Sequence, residues 1–541
     1  MCAELSSEQL MKCLIGLKGR AERLEPDQVI ESFSSVGPLL PLISTEDHQV
    51  IFGRRGTGKT HALRYLYATK SDEGDCAIFV DMRNLGSDNS IYNDHNLAVT
   101  ERATRLLIDT LVFIQDGILD FAVSSPNADL ATLESPLDRL GEAVSQVRVS
   151  GEVKVSIKEA RSDTSRKKRG LFAKFGLGGN SAGGDFTAEK QNATDYTSVK
   201  EVTGAESISI RFPELSASLR DVVNILPAKR FWIILDEWSS VPLELQPFLA
   251  DMLKRAFFNI PQITVKIGAI EHRTKFLIEP NSDNIVGLEV TADIRSNVRL
   301  DDYLLFENNN DASVSFFKEF LYRHIKSYCK EKGLPEPEGA DEVYRKSFNQ
   351  KTSLEEFVKA AEGVPRDALH IISICAQKSL SGLIDIPTVR AAAHRHYQED
   401  KSSQVEGNAV LRDLLQFIVD TAIRKKKTNA FLLEVGVKDH NIDLLFDRRM
   451  IHIRQRNVSS RDNPGARYVH YKIDYGCYVD LIATRQMPRE QDFFGEKTME
   501  ELAEEIEVPM EDDARSYRRS ILDLEEFYVA NTGEHSPNPG T

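Results

Sequence analysis

Three observations in the sequence predict an α/β chain built on a parallel sheet, followed by a helical region and a C-terminal winged helix. An apolar strand, His48–Phe52, runs straight into Gly53-Arg54-Arg55-Gly56-Thr57-Gly58-Lys59-Thr60 and then into a helical pattern. Strand-sized apolar runs next alternate with amphipathic helices as far as Ile270, a rhythm that argues for parallel strands covered on both faces. From Ala312 to about Gln398 the pattern is purely helical, and from Asn408 helices give way to two period-two segments joined by a turn.

Composition narrows the class. At 541 residues the chain is too long for one ordinary core. With 41% apolar and 28% charged residues it has ample material for several, which excludes a wholly disordered or fibrous chain. No apolar run approaches the length of a membrane span. Met1-Cys2-Ala3-Glu4 lacks a basic leader, and Lys12 interrupts Leu10–Leu17, which argues against a secretory signal. The six cysteines are scattered without a CxxC pair, against a zinc or disulfide framework. A cytoplasmic location is expected.

Each element follows in order. Residues 1–44 read as an N-terminal helical segment, and 45–300 as the sheet-containing core. Within the core, Cys76–Arg83 is the second strand, and amphipathic helices run through about Leu97–Phe121 and Leu137–Val147. An insertion at 149–212 breaks the rhythm: VRVSGEVKVSI and ESISIRF alternate with period two, as the legs of a hairpin would. Between them lies a basic, then Gly-rich, stretch. The core resumes with a helix at Ser216–Ile225, the strand RFWIILDEW at 230–238, a helix at Leu243–Phe258 and the strand Ile263–Ile270. Residues 301–400 form the helical region and 405–488 the winged helix, read as LRDLLQFIVDTAIRKKK, TNAFLLEVG and HNIDLLFDRRM, three helices, with IHIRQRNV and ARYVHYKID as a hairpin. Residues 489–541 are an acidic tail.

The chemistry lies in the first loop. Gly53–Thr60 satisfies G-x-x-x-x-G-K-[ST] in full, and about 0.02 chance matches are expected in a chain this long if glycine is about 7% of residues. Glycines let the backbone curl so that successive N–H groups face a phosphate, and the helix beginning there adds its positive end. Gly53, Arg54, Arg55, Gly56, Thr57, Gly58, Lys59, Thr60 and His61 are therefore the expected nucleotide contacts. Lys59 reaches the β and γ phosphates and Thr60 a Mg²⁺ ion. The partner is the apolar strand Phe231–Leu235 ending in Asp236-Glu237. Asp236 is expected in the Mg²⁺ shell, and Glu237 as the group that orients or deprotonates an attacking water. The expected cofactors are ATP and Mg²⁺.

GTGKT, the apolar strand ending in Asp-Glu, the Ile263–Ile270 strand and EGVPRDAL in the helical region together resemble an AAA+ ATPase, and within that group the origin-recognition-complex-type (ORC/CDC-like) initiator ATPases. The resemblance covers about 45–485 and implies an order of ATPase core, helical lid and winged helix. It also implies ATP rather than GTP. Arg366 in Gly363-Val364-Pro365-Arg366 matches the sensor-2 arginine that the lid brings to the γ-phosphate, so Lys59, Glu237 and Arg366 form the catalytic set. The small polar residue usual at the sensor-1 strand tip is not matched, because VKIGAI leads into Glu271-His272-Arg273. Arg295 and Arg299 are candidates for a finger acting between subunits, or ordinary surface arginines.

Charge is sorted along the chain. The net charge is −15, yet Asn408–Arg485 holds 14 basic and 9 acidic residues, whereas Glu490–Thr541 holds 15 acidic and 4 basic. A recognition helix is expected at Asn441–Met450 with Arg448 and Arg449, a wing carrying Arg454, Arg456, Arg461 and Arg467, and a basic turn at Arg424 with Lys425, Lys426 and Lys427. Such groups meet DNA phosphates; the alternative is a winged helix used for protein contact, since Asp443 and Asp447 share the same helix. Arg166–Arg169 with Leu171, Phe172 and Phe175 in the insertion grip a partner or form a disordered loop. DDARSYRRSILDLEEFY in the tail docks on a partner protein, on the chain's own basic surface, or stays solvated. The leading reading is an ATP-hydrolysing switch that binds double-stranded DNA and assembles as a homo-oligomer. Alternatives are a STAND-type signalling ATPase that recruits a protein effector, and a nucleotide-gated scaffold without hydrolysis.

Overall fold

The computed structural model describes residues 5–35, 37–85, 94, 96–144, 147–156, 199–208, 210–281, 284–302, 310–426, 428–459, 465–479, 518 and 520–532. In the first half the strands are β1 (Gln49–Phe52), β2 (Cys76–Asp81), the hairpin β3 (Val147–Ser156) and β4 (Val199–Ile208), β5 (Phe231–Asp236), β6 (Ile263–Ala269), the pair β7 (Leu277–Asn281) and β8 (Asn284–Gly287), and β9 (Arg295–Arg299). The helices here are α1 (Ser7–Ile15), α2 (Pro26–Ser32), α3 (Leu39–Ile43), α4 (Lys59–Asp72), α5 (Val99–Ser124), α6 (Leu130–Val144), α7 (Phe212–Ile225) and α8 (Gln246–Phe257).

Five strands form one parallel sheet in the order β2-β5-β6-β1-β9. Along β5 the side chains divide by alternation. Phe231, Ile233 and Leu235 enter the core under α5, α7 and α8, while Trp232 and Ile234 join Leu63, Leu66, Phe33 and Ile43 on the other face. Both faces are dry, which is why this strand reads as an unbroken apolar run. β6 lies between β1 and β5. The loop after β1 and the Asp236 carboxylate at the end of β5 therefore sit at the same, C-terminal edge of the sheet, where open α/β sheets bind ligands.

The expected hairpin is present, with Val147 paired to Ile208 and Ser156 to Val199. Its second leg starts earlier than the alternation indicated, and Phe212 already belongs to α7. Arg166–Arg169, Leu171, Phe172 and Phe175 lie outside the described residues.

The lid consists of α9 (Asn310–Lys332), α10 (Ala340–Ser347), α11 (Lys351–Ala361), α12 (Pro365–Lys378) and α13 (Ile386–His396). Its core also takes Leu10, Met11 and Leu14 of α1 and Tyr475, Tyr478 and Val479 from beyond the winged helix. A π-helical turn at Tyr397–Lys401 and the short α14 (Ser403–Glu406) lead onward. The winged helix has α15 (Ala409–Val419), β10 (Ala430–Glu434), α16 (His440–Asp447), β11 (Ile451–Ser459) and β12 (Arg467–Ile473), its strands ordered β10-β12-β11. TNAFLLEVG, expected as a helix, is strand β10. Phe431, Leu432 and Leu433 are buried, and the run is too short to cover a helical face but long enough to pair with β12. Among the described residues no helix is long and apolar enough to cross a membrane. The α/β P-loop fold, with its parallel sheet, helical lid and C-terminal winged helix, is as the sequence predicted.

Candidate functional site

Gly56 and Gly58 stand at φ 88° and 93°, in the left-handed region where side chains are costly, and they turn the loop into α4. Lys59 opens that helix, and its side chain is buried. Its Nζ donates to the carbonyls of Gly53 (2.6 Å) and Arg54 (3.0 Å). Burial depresses the amine's pKa, opposed by Asp236, Glu237 and Asp301. A phosphate brought to the loop would likewise favour the charged amine.

Asp236 is 1% exposed, and its Oδ1 accepts the Glu237 amide at 2.9 Å. The Thr60 hydroxyl lies close enough to favour its charged form, yet burial dominates and raises the pKa to about 6. Its Oδ2 is buried without a hydrogen bond of ordinary geometry. β6 approaches so closely that a Cβ on Gly268 would stand 2.9 Å from Asp236 Oδ1 and 2.7 Å from Leu63 Cδ1. Glu237 takes φ 56° and ψ 36°, a left-handed conformation that a glutamate adopts only under constraint.

These groups open on a cavity of about 290 Å³, near the lower bound (about 300 Å³) of small-molecule sites. Arg55, Gly56, Gly58, Lys59, Thr60 and His61 line it from the loop, Glu237 from the turn after β5 and Arg366 from the lid. The sequence reading missed the strap 18–24, which contributes Lys18, Arg20 and Glu22, and it missed Arg83. The strap bears no motif; its only signal is a cluster of cations in front of a capped helix. Six basic side chains against two carboxylates make the lining strongly cationic. The curled glycines, the buried lysine, the buried Asp236 carboxylate near Thr60 and this positive lining fit a nucleoside triphosphate with Mg²⁺. His61 is held to α2, its Nε2 3.0 Å from the Val29 carbonyl.

The lid meets the loop through the backbone. Arg366 N donates to Gly56 O at 3.2 Å, and a Cβ on Gly56 would touch Arg366 and Val364 at 3.0 and 3.1 Å. Glu362 and Gly363, at φ 49° and 69°, make the turn that starts α12 here. Burial lowers the pKa of Arg366, and neighbouring Arg449 adds to the effect. None of Glu271, His272, Arg273, Arg295 or Arg299 lines the cavity. Arg295 pairs with Asp47 (3.0 Å) and Arg299 with Glu271 (3.2 Å).

Arg54 differs from expectation. Its guanidinium leaves the cavity and enters the winged helix. It bonds Asp301 (2.6 Å), the carbonyls of Phe446 (3.3 Å) and Ile451 (3.1 Å) and His452 Nδ1 (3.1 Å), and lies over the Phe446 ring at 4.3 Å. A buried planar cation is satisfied only by such a ring of acceptors.

The expected DNA contacts separate in the same way. Arg449, at φ 63°, turns inward to Asp367 of the lid, and Arg456 pairs with Glu271 at 3.0 Å. Arg448, half-buried, donates to the Gln404 carbonyl. Arg454 is half-buried, and Lys425, Lys426 and Arg467 are exposed, Lys425 standing 3.5 Å from Glu526. Lys427 and Arg461 lie outside the described residues. α16 ends at Asp447, earlier than expected, and faces the core: Asp447 bonds Arg273 (2.8 Å), and Asp443 lies 3.6 Å from His272. The tail docks on its own chain. α17 (Leu524–Thr532) packs Phe527 and Tyr528 into the winged-helix core, and Tyr528 OH donates to Asp439, the N-cap of α16, at 2.6 Å. Most of the acidic tail, 489–517, is outside the described residues.

Residues 18–70, which hold the strap, the loop and most of α4, match the ORC-CDC6-like family model. The resemblance read from the loop is borne out over that segment. The Aeropyrum pernix Orc1 protein in complex with DNA aligns with 90% of this chain and 96% of its own, at 11% identity and a TM-score of 0.28. No curated protein matches the sequence.

Proposed function

We propose that the chain is an ATP-binding and hydrolysing switch whose winged helix is held or released according to the state of the phosphate loop, and that the released winged helix binds double-stranded DNA. The observation that carries this is Arg54. One residue supplies the carbonyl that holds the Lys59 amine and the guanidinium that anchors the winged helix. A change at the phosphates is thus one covalent residue away from the winged-helix dock.

In this reading the amides of Gly56–Thr60 and the Lys59 amine hold the phosphates, and Thr60 and Asp236 hold the metal. Bound Mg²⁺ supplies positive charge that neutralises charge developing on the phosphoryl oxygens. Glu237, rigid in its left-handed turn, orients a water and accepts its proton. Arg366 closes over the γ-phosphate from the lid. Lys59 exchanges its two loop carbonyls for phosphate oxygens, which frees Arg54 O and loosens the loop around Arg54.

The test is ATP turnover by the full chain with and without double-stranded DNA, beside Glu237→Gln. DNA-stimulated turnover, lost in the variant while nucleotide binding persists, is expected. Normal hydrolysis by Glu237→Gln removes the catalytic assignment. The specific observation favouring a second reading, a signalling ATPase that recruits a protein, is that α16 is covered by the core on one side and by Tyr528 at its N-terminus. Turnover indifferent to DNA selects that reading.

A further inference from the structure

We propose that the lid carries a site for a divalent transition-metal ion, formed by His370, His396 and Asp400. The proposal stands apart from the nucleotide reading, since none of the three lines the phosphate cavity.

The three come from consecutive elements. His370 is on α12, one turn beyond Arg366; His396 ends α13; and Asp400 lies in the π-helical turn that follows. One ligand atom from each lies within 4.8 Å of the other two. Asp400 Oδ2 is 2.8 Å from His370 Nδ1 and 3.2 Å from His396 Nδ1, and the two rings meet edge to face at 5.4 Å between centroids. Ligand atoms around a tetrahedral ion with bonds of about 2.0–2.1 Å stand roughly 3.3 Å apart, so small side-chain rotations complete the geometry. Single π-turns recur at functional sites, and this one sets where Asp400 falls relative to His396.

The ring nitrogens point the same way. A neutral imidazole donates from one nitrogen only. Both Nδ1 atoms converge on one carboxylate oxygen, and the other nitrogen of His396, Nε2, faces Asp367 Oδ1 at 3.5 Å. A metal on the two Nδ1 lone pairs lets His396 keep one proton on Nε2, directed at Asp367. That is the carboxylate–histidine–metal relay by which proteins orient a ligand imidazole.

Two imidazoles and one carboxylate select zinc, cobalt, nickel or ferrous iron over magnesium or calcium. His396 is 4% exposed and fixes the site; His370 and Asp400, at 43% and 47%, leave it open to entry and to a water as fourth ligand. On its outer side His370 meets the strap, where a Cβ on Gly19 would lie 3.3 Å from Nε2. The ion would therefore fasten α12 to α13 behind the strap that crosses the nucleotide cavity.

The experiment uses the full chain, stripped with chelator and titrated with Zn²⁺ by calorimetry in excess Mg²⁺ without nucleotide, and with Co²⁺ by visible absorption. One equivalent is expected to bind with micromolar or tighter affinity, with Co²⁺ bands of a low-coordinate nitrogen–oxygen site. His370→Ala and Asp400→Ala, both at exposed positions, should each weaken binding at least tenfold. Cys13→Ser, removing a thiol elsewhere in the lid core, should not. Absence of a stoichiometric site, displacement by millimolar Mg²⁺, or unchanged affinity in a His370→Ala/Asp400→Ala double variant whose metal-free melting matches wild type each overturns the proposal.

Discussion

Arg54 Nη2 and His452 Nδ1 stand 3.1 Å apart, joining the phosphate loop to the winged helix through a buried hydrogen bond. Burial, then the nearby Arg54 charge, lowers the imidazole pKa to about 4, so the ring is neutral. Its Nδ1 accepts from Arg54 while Nε2–H is directed at Asp474 Oδ2, 3.2 Å away. The tautomer is thereby set by the partners on either side. Arg54→Ala would leave Asp301 and His452 without their cation. The expected cost is about 3–5 kcal/mol, the usual effect of removing one partner of a buried ion pair. Hydrogen exchange should rise in β11 and β12 more than in β5; a uniform rise would mean that Arg54 only stabilises the loop.

Asp236 gives a pH signature. Burial first, and then the Glu237 charge, raises its pKa to about 6. Between about pH 4 and 6 the native state holds a proton that the unfolded chain has lost, so this residue's contribution to stability falls as pH rises through that window. Asp236→Asn should raise the melting temperature of the metal-free protein at pH 8 and leave it nearly unchanged at pH 4. If Asp236 holds Mg²⁺ as proposed, metal binding displaces the proton, and Mg²⁺ affinity should drop about tenfold per unit below pH 6 and level off above it. Calorimetric Mg²⁺ titrations across that range decide the point.

Gly268 matters for space, not for backbone conformation. Gly268→Ala puts a methyl group against Leu63 and Asp236. It should cost about 1–3 kcal/mol through overpacking. The same methyl pushes Asp236 Oδ1, so the Mg²⁺ concentration for half-maximal turnover should increase while the Kd for metal-free ADP changes little. Equal changes in both would point to a general loosening of the sheet.

Removal of residues 520–541 takes Tyr528 from Asp439 and Asn441 and uncovers the N-terminus of α16. Affinity for double-stranded DNA should rise in the shortened chain and fall steeply with added salt. No gain in DNA affinity, together with loss of a protein partner, would favour the effector-recruiting reading. Tyr528→Phe keeps the packing of the ring and should show a smaller shift in the same direction.

The parts of this molecule legible in sequence are those where one local rule governs. The apolar run of β5 had to be a strand dry on both faces, and G-x-x-x-x-G-K-T had to curl through left-handed Gly56 and Gly58 into α4. Helix bounds moved by a few residues because packing, not pattern, ends them, as with α5 at Ser124. β10 went unrecognised because its pairing partner, β12, is supplied from far along the chain. Arg54 and Arg449 were assigned outward, to ligand and DNA, because an arginine's type says nothing of its direction. Only the arrival of Asp301, Phe446 and Asp367 from other segments made the inward route the satisfied one. The strap at 18–24 had no motif, and its role comes from where α1 and α2 hold its two ends.

The lid core has a consequence for how the chain is made. Leu10, Met11 and Leu14 belong to it, and so do Tyr475, Tyr478 and Val479. A ribosome completes the phosphate loop and the sheet long before the last of these tyrosines emerges. Until then α1 has only part of its seat, and such long-range closures come late and slowly in folding. The nascent protein thus has its sheet and loop assembled ahead of its cover, so the moment at which the lid seals coincides with the synthesis of the segment just beyond the wing.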